Sequence, residues 1–222
     1  MAAAPPRLLP GGTPRLERRW LALALAVAAL GAFWFIRRDA AGYLTVPLHP
    51  AYYTDYYWPR RYGILLHVAC GVAVLGAGLL QVGLGLSGRT GALHRALGRL
   101  YVLGVAVAAA AAVRLLSAIP VDGYSLGLMG LCAAWVITTA RGYWAVRHHD
   151  IRRHRAWMLR SYLVTFGFVT LRVSQNVMLA LKLADENTSV AIAAWLCWTV
   201  PLLSVEIVLA LRRAATASPR EV

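Results

Sequence analysis

Residues 62–86 read YGILLHVACGVAVLGAGLLQVGLGL, and no Asp, Glu, Lys or Arg interrupts them. As a helix rising 1.5 Å per residue, the run is about 37 Å long, more than the roughly 30 Å of a bilayer's hydrocarbon core. The stretch predicts a membrane-spanning helix. Working outward, five further stretches approach or reach the same length: 20–36, 97–119, 123–146, 157–183 and 190–211. The chain therefore predicts as all-α, a polytopic transmembrane helical bundle of about six helices. Its expected divisions are a disordered head (1–19), a first span (20–36), a loop (37–61), a four-helix core (62–183), a segment holding the sixth span (184–211) and a tail (212–222).

Composition points the same way, with 59% of residues hydrophobic and 14% charged where a soluble domain has about a quarter charged. The 23 basic residues against 9 acidic ones would suggest nucleic acid in a soluble chain. Here they gather at the ends of apolar runs, where loops meet lipid headgroups, so the expected partner is a lipid bilayer and not nucleic acid. Counted by loop, 15 basic residues fall on the side of the N-terminus and five on the other. Both termini are therefore expected in the cytoplasm, with the chain in a bacterial inner membrane. The first span is expected to be an uncleaved anchor, since no small-x-small cleavage site follows it cleanly. Cys70, Cys132 and Cys197 lie inside apolar runs without CxxC spacing, which predicts buried small hydrophobes and no disulfide, zinc or c-type haem site.

The one long connection, 37–61, carries HPAYYTDYYWPRRY from His49 to Tyr62. Tyr52, Tyr53, Tyr56 and Tyr57 fall at i, i+1, i+4 and i+5, with Trp58 and Tyr62 following, so a short helix there presents an aromatic face. The expected role is an interfacial belt; a lid over an outer binding site is the alternative.

An internal repeat organises the middle of the chain. TGALHRALGRLY (90–101) and DIRRHRAWMLRSY (150–162) each offer a helix N-cap (Thr90, Asp150), then His-Arg-Ala, then an Arg and a Tyr. Each copy opens a helix with a further Arg deep within it, Arg114 and Arg172. Two hairpins related by a pseudo-twofold axis along the membrane normal are expected. In the first helix of the core, Gly71, Gly78 and Gly85, and again Gly76 and Gly83, recur at seven-residue intervals, which predicts close backbone approach.

Polar groups inside lipid are costly and usually face the bundle interior, so each is a functional candidate. Arg172 lies ten residues before Lys182, about 15 Å by helical rise, and is expected near the midplane with Gln175 and Asn176 on its face. His67 and Arg114 lie near the outer ends of their helices and are expected to converge with it. With no carboxylate expected in that outer half, the group suits an anion or an acceptor-rich moiety: a haem propionate, a quinone carbonyl or a lipid phosphate. Towards the inner side, His94 and His154 occupy matched depths. They suit the two axial positions of a b-type haem, with Arg95, Arg99, Arg155 and Arg160 as propionate partners; headgroup contacts are the alternative. His148 and His149 are weaker candidates. Arg141 and Glu206, both about 9 Å from the inner edge by helical rise, predict a structural ion pair near the level of Gln81. No P-loop, GxSxG, HExxH or paired carboxylates occur, and the question of an enzymatic activity stays open.

The strings LHVACG, HRALGRLY, RRHRAWMLRSY and TLRVSQN make the chain resemble the bacterial family of predicted multi-pass membrane proteins called domain of unknown function 2306, over roughly residues 60–185. The motif positions are His67, Gln81, His94, Arg95, Gly98, Arg99, Tyr101, His154, Arg155, Trp157, Met158, Arg160 and Arg172. The resemblance implies a polytopic inner-membrane protein with no established activity. More distantly, the bundle is similar to b-type cytochromes that carry haem within four helices, although His94 and His154 lie nearer the rim than such ligands usually do. The expected role is redox-associated, binding haem b or a quinone at His67, His94, His154, Arg99, Arg160, Arg114, Arg172, Gln175 and Asn176, with His94 and His154 as haem-iron ligands. The alternatives are a small-anion transporter or channel and a ligand-free membrane scaffold.

Overall fold

The computed structural model describes residues 15–44 and 56–217, and among them there is no strand. Of the sequence expectations, the head as far as residue 14, the loop positions 45–55 with His49, Tyr52, Tyr53 and Asp55, and the tail from 218 lie outside the described residues. Helix α1 (Arg15–Phe35) passes through a π-helical turn (Ile36–Ala40) into the short α2 (Ala41–Leu44). Then follow α3 (Tyr57–Leu86), α4 (Ala92–Leu116), α5 (Gly123–Arg147), α6 (Ile151–Ala180) and α7 (Glu186–Ala217). Helices α3 to α7 are long and apolar enough to cross a membrane. The fold is the expected all-α membrane bundle.

Several helices start earlier than the hydropathy implies. α3 begins at Tyr57 and not at 62, α4 at Ala92 and not at 97, and α6 at Ile151 and not at 157. Apolar runs mark only the part of a helix inside hydrocarbon, whereas its hydrogen bonds continue through the polar, aromatic turns that meet the headgroups. Local chemistry fixes the ends. Asp122 and Ser125 form a reciprocal capping box at the start of α5, and Asp150 caps α6 through the Arg153 amide. Thr90 does not cap α4; the position falls one residue later, on Gly91, without a side-chain cap. Gly88, His149 and Lys182, all with left-handed φ, follow the C-caps of α3, α5 and α6. Such a residue lets the last carbonyls find donors as the chain leaves the helix.

α3 packs along α4, and α5 along α6, as two hairpins; α4 meets α5, α3 meets α6, α7 covers α5 and α6, and α1 rests on α3 and α6. The tyrosines that end the two sequence repeats, Tyr101 and Tyr162, meet over Gly78, where any Cβ would run into both rings. Gly71, Gly76 and Gly83 are not part of a packing seam, because a Cβ added at any of them would meet nothing within 4 Å, and at Gly85 it would make only an ordinary contact with His94. In the bundle centre the Tyr101 hydroxyl bonds Ser161 Oγ at 2.8 Å and Thr165 Oγ1 at 2.7 Å. Trp135 Nε1 donates to Thr165 Oγ1 at 2.7 Å, and Thr139 Oγ1 bonds Ser161 Oγ at 2.7 Å. This buried network ties α4, α5 and α6 together without leaving a polar atom of its members idle.

The two ends of the bundle differ in chemistry. One, with the α3–α4 and α5–α6 turns, is basic. The other, with α2, the start of α3 and the α4–α5 and α6–α7 turns, is aromatic.

Candidate functional site

The site is built at the aromatic end, and its least expected part is the π turn. There the Ala41 N–H reaches back to the Ile36 carbonyl, so one extra residue is accommodated and the following side chains are re-aimed. Ala40 enters the core, and Asp39 is directed to α6. Its Oδ1 lies 3.8 Å from Arg172 Nε, with the two side chains 20% and 31% exposed respectively. Arg172 Nη1 donates to Gln175 Oε1 at 3.0 Å, and Nη2 to the Tyr43 hydroxyl at 3.4 Å. Tyr43 and Tyr57 are hydrogen-bonded to each other.

One sequence expectation is corrected here. An acid does share the level of Arg172: Asp39, at the end of the first helical segment, balances it. Arg172 lies eight residues, or about 12 Å, before the end of α6 at Ala180.

Arg172 opens onto a cavity of about 420 Å³. Tyr43, Tyr56, Tyr57, Tyr124, Trp135 and Phe168 form its aromatic wall, and Ile64, Leu115, Leu128 and Leu171 are among its aliphatic lining. The second polar contributor is His67, whose Nδ1 sits 2.8 Å from the Ala108 carbonyl. A carbonyl only accepts, so Nδ1 carries a proton, and Nε2 of the neutral ring keeps its lone pair. The His67 ring stands edge-on to Phe168, centroids 5.9 Å apart, one turn of α6 from Arg172. Burial pushes the Tyr56 phenol above its ordinary range, against the pull of Arg60. The described part of the aromatic segment thus reaches the site: Tyr56 and Tyr57 wall the cavity, while Arg61 lies over the Trp58 ring at 4.1 Å.

The expected convergence is partial. His67, Arg172 and Gln175 belong to one neighbourhood, but Arg114 is exposed on the last turn of α4 and lies off the cavity wall. Asn176 is half-buried and is likewise absent from that wall. Helical spacing alone does not say which way each side chain turns.

At the basic end, His94 and His154 are within electrostatic reach of each other, with Arg155 nearby. His154 Nδ1 bonds the Gly142 carbonyl at 2.9 Å. The His94 backbone carbonyl accepts from Gln81 Nε2, and its own Nδ1 is buried without a hydrogen-bond partner among the described residues. Arg99 is exposed. Arg160 is not a spare propionate partner: its Nε holds Glu206 Oε1 at 2.6 Å. That pairing corrects the expected Arg141–Glu206 bridge. Arg141 instead lies over the Trp157 ring at 4.9 Å, and Arg160 lies over the same ring at 5.0 Å. His149 serves as the left-handed residue after α5.

Sequence reasoning missed Asp39, Tyr43, Tyr124 and Trp135. Asp39 was discoverable as an acid three residues beyond an apolar run, beside Arg37 and Arg38; nothing in the sequence announces the π turn that aims it.

Fold and site together define a polytopic membrane protein with a ligand-sized cavity at one end of its helix bundle. The chain belongs to the family described as Predicted membrane protein (DUF2306), whose model matches residues 64–209. That range includes His67 and Arg172 and stops short of Asp39 and Tyr43. No curated protein and no solved structure matches the chain.

Proposed function

We propose that the protein binds a quinone-class redox carrier in the cavity at the aromatic end. The observation that supports this reading is a fixed imidazole and a charge-balanced guanidinium on one cavity of about 420 Å³ with otherwise mainly aromatic and aliphatic walls. Small-molecule sites typically have about 300–1,000 Å³ and a few placed polar groups on apolar walls. Because Asp39 balances Arg172, a free anion gains little there, and this weighs against anion transport. A neutral carbonyl or hydroxyl needs only a directed donor or acceptor. The Nε2 lone pair of His67 accepts from a quinol hydroxyl, while Arg172 and the linked tyrosine hydroxyls suit the opposite oxygen.

Titration of the protein in lipid nanodiscs with tetramethylbenzoquinol and with its quinone, read by tryptophan quenching, tests this. Saturable binding is expected, with His67→Leu weakening the quinol by about tenfold, or ~1.4 kcal/mol, more than the quinone. Arg172→Gln should weaken both, with folding checked by melting temperature. Equal affinities in wild type and both variants would move the ligand elsewhere, and no saturable binding would overturn the reading.

A second reading, haem b held by His94 and His154, has one specific support. The His154 Nδ1 contact to Gly142 leaves Nε2 as the ligating nitrogen, the arrangement seen for oriented imidazole ligands. Such a haem would supply one-electron chemistry. A low-spin absorption spectrum lost in His154→Ala is expected; colourless protein from haem-replete cells, with its fold retained, contradicts it.

A further inference from the structure

We propose that the ligand of the aromatic-end cavity is an amphiphile whose hydrocarbon tail runs out between α1 and α3; this rests on reading that cavity as a quinone site. A smaller cavity of about 50 Å³ shares Phe35, His67 and Phe168 with the large one and adds Gly71, Val72 and Leu75. With walls in common, the two are neighbours. Val68, also shared, stands with Gly71, Val72 and Leu75 at i, i+3, i+4 and i+7 of α3. The extension therefore follows one face of that helix for two turns, about 10 Å, towards the middle of the membrane.

Its floor is bare at Gly71, where a Cβ would meet nothing within 4 Å. Beyond His67 no polar side chain lines it. Its blind end is Leu75, which is buried, and one turn further the space beside Gly78 is filled by Tyr101 and Tyr162. On the α1 side Phe35 alone stands on the wall, and Phe35, Val68, Gly71 and Val72 are themselves only half-buried, so the groove borders the outside of the bundle, where lipid lies. A small polar anion finds no partner in such a groove, and a bare ring already fits the large cavity. A flexible alkyl or prenyl chain attached to the ring fits a narrow apolar extension that borders lipid.

Two photoprobes in nanodiscs holding the full chain test the inference. One is a benzoquinone with an azide on the ring; the other is the same ring with a diazirine near the root of an alkyl tail. The ring probe should label the walls around Tyr57 and Arg172, and the tail probe residues 68–75 and Phe35. Gly71→Leu, whose added side chain enters open space, should cut the tail label several-fold and spare the ring label; Val72→Phe on the same wall should do likewise. Tail label spread over the exposed face of α7, with ring label intact, overturns the tail path and leaves the cavity reading standing. Loss of the ring label from the cavity removes both.

Discussion

Arg172 is held by groups from two segments far apart in sequence, Asp39 and Tyr43 on one side and Gln175 on its own helix. Replacing it with Met strands the Asp39 carboxylate, whose Oδ2 is already buried without a hydrogen bond among the described residues. Breaking one side of a buried ion pair is strongly destabilising, and partial exposure reduces the cost, so Arg172→Met is expected to lose about 1–3 kcal/mol. Adding Asp39→Asn should recover part of it, as denaturation in mild detergent would show. Tyr101→Phe, which takes a hydroxyl from Ser161 and Thr165 in the bundle centre, should cost about 1–2 kcal/mol by the same assay. How far the site was legible is clearest at this scale. His67, Arg172 and Gln175 stood out because ionisable and amide groups are rare inside apolar runs. The partner of Glu206 was misread because Arg141 and Arg160 lie at comparable depth, and depth along a helix does not say which way a side chain turns.

α7 contains Pro201, which has no N–H to give the Cys197 carbonyl. That carbonyl is taken by the Thr170 hydroxyl of α6 at 3.0 Å, across a contact where Gly167 lets the backbones approach. Thr170→Val should therefore cost about 1–2 kcal/mol, and much less in a Pro201→Ala background, where the helix supplies its own donor; a double-mutant cycle measures the difference. His149→Gly should stabilise by about 1 kcal/mol, since a left-handed φ of 59° is strained for a residue with a Cβ. Helix starts respond to pH. The Ser125 amide holds the Asp122 carboxyl below its ordinary range, and Thr188 does the same for Asp185. Their capping contributions are complete above about pH 3.9, the unfolded carboxyl value, and are lost as pH falls through the lower folded values. Protection factors of the Ser125 and Thr188 amides, with exchange corrected for its intrinsic pH dependence, should fall below that range and stay flat above it. Elements were legible where hydropathy and caps agreed, as in α5. They were less so where polar turns prolong a helix beyond lipid, or where a π turn inserts a residue that no periodicity reveals.

At the scale of the molecule, hydropathy alone was enough to foresee a helical membrane bundle, because every backbone donor in lipid must be satisfied within its own helix. The paired hairpins followed from the repeat, whose two tyrosines now meet at Gly78. The cavity did not follow, since it depends on how α1, the π turn and α6 come together. Reporter fusions after residues 120 and 150 should give periplasmic and cytoplasmic signals, respectively, if the arginine asymmetry sets orientation; the reverse pair would invert the basic and aromatic ends. The most direct test of the central claim is native mass spectrometry of the wild-type protein, released gently from its own membrane. The account predicts a co-purifying neutral lipid with the mass of a tailed quinone, sharply reduced in His67→Leu of equal melting temperature. Phospholipid adducts alone, the same in wild type and variant, would contradict it.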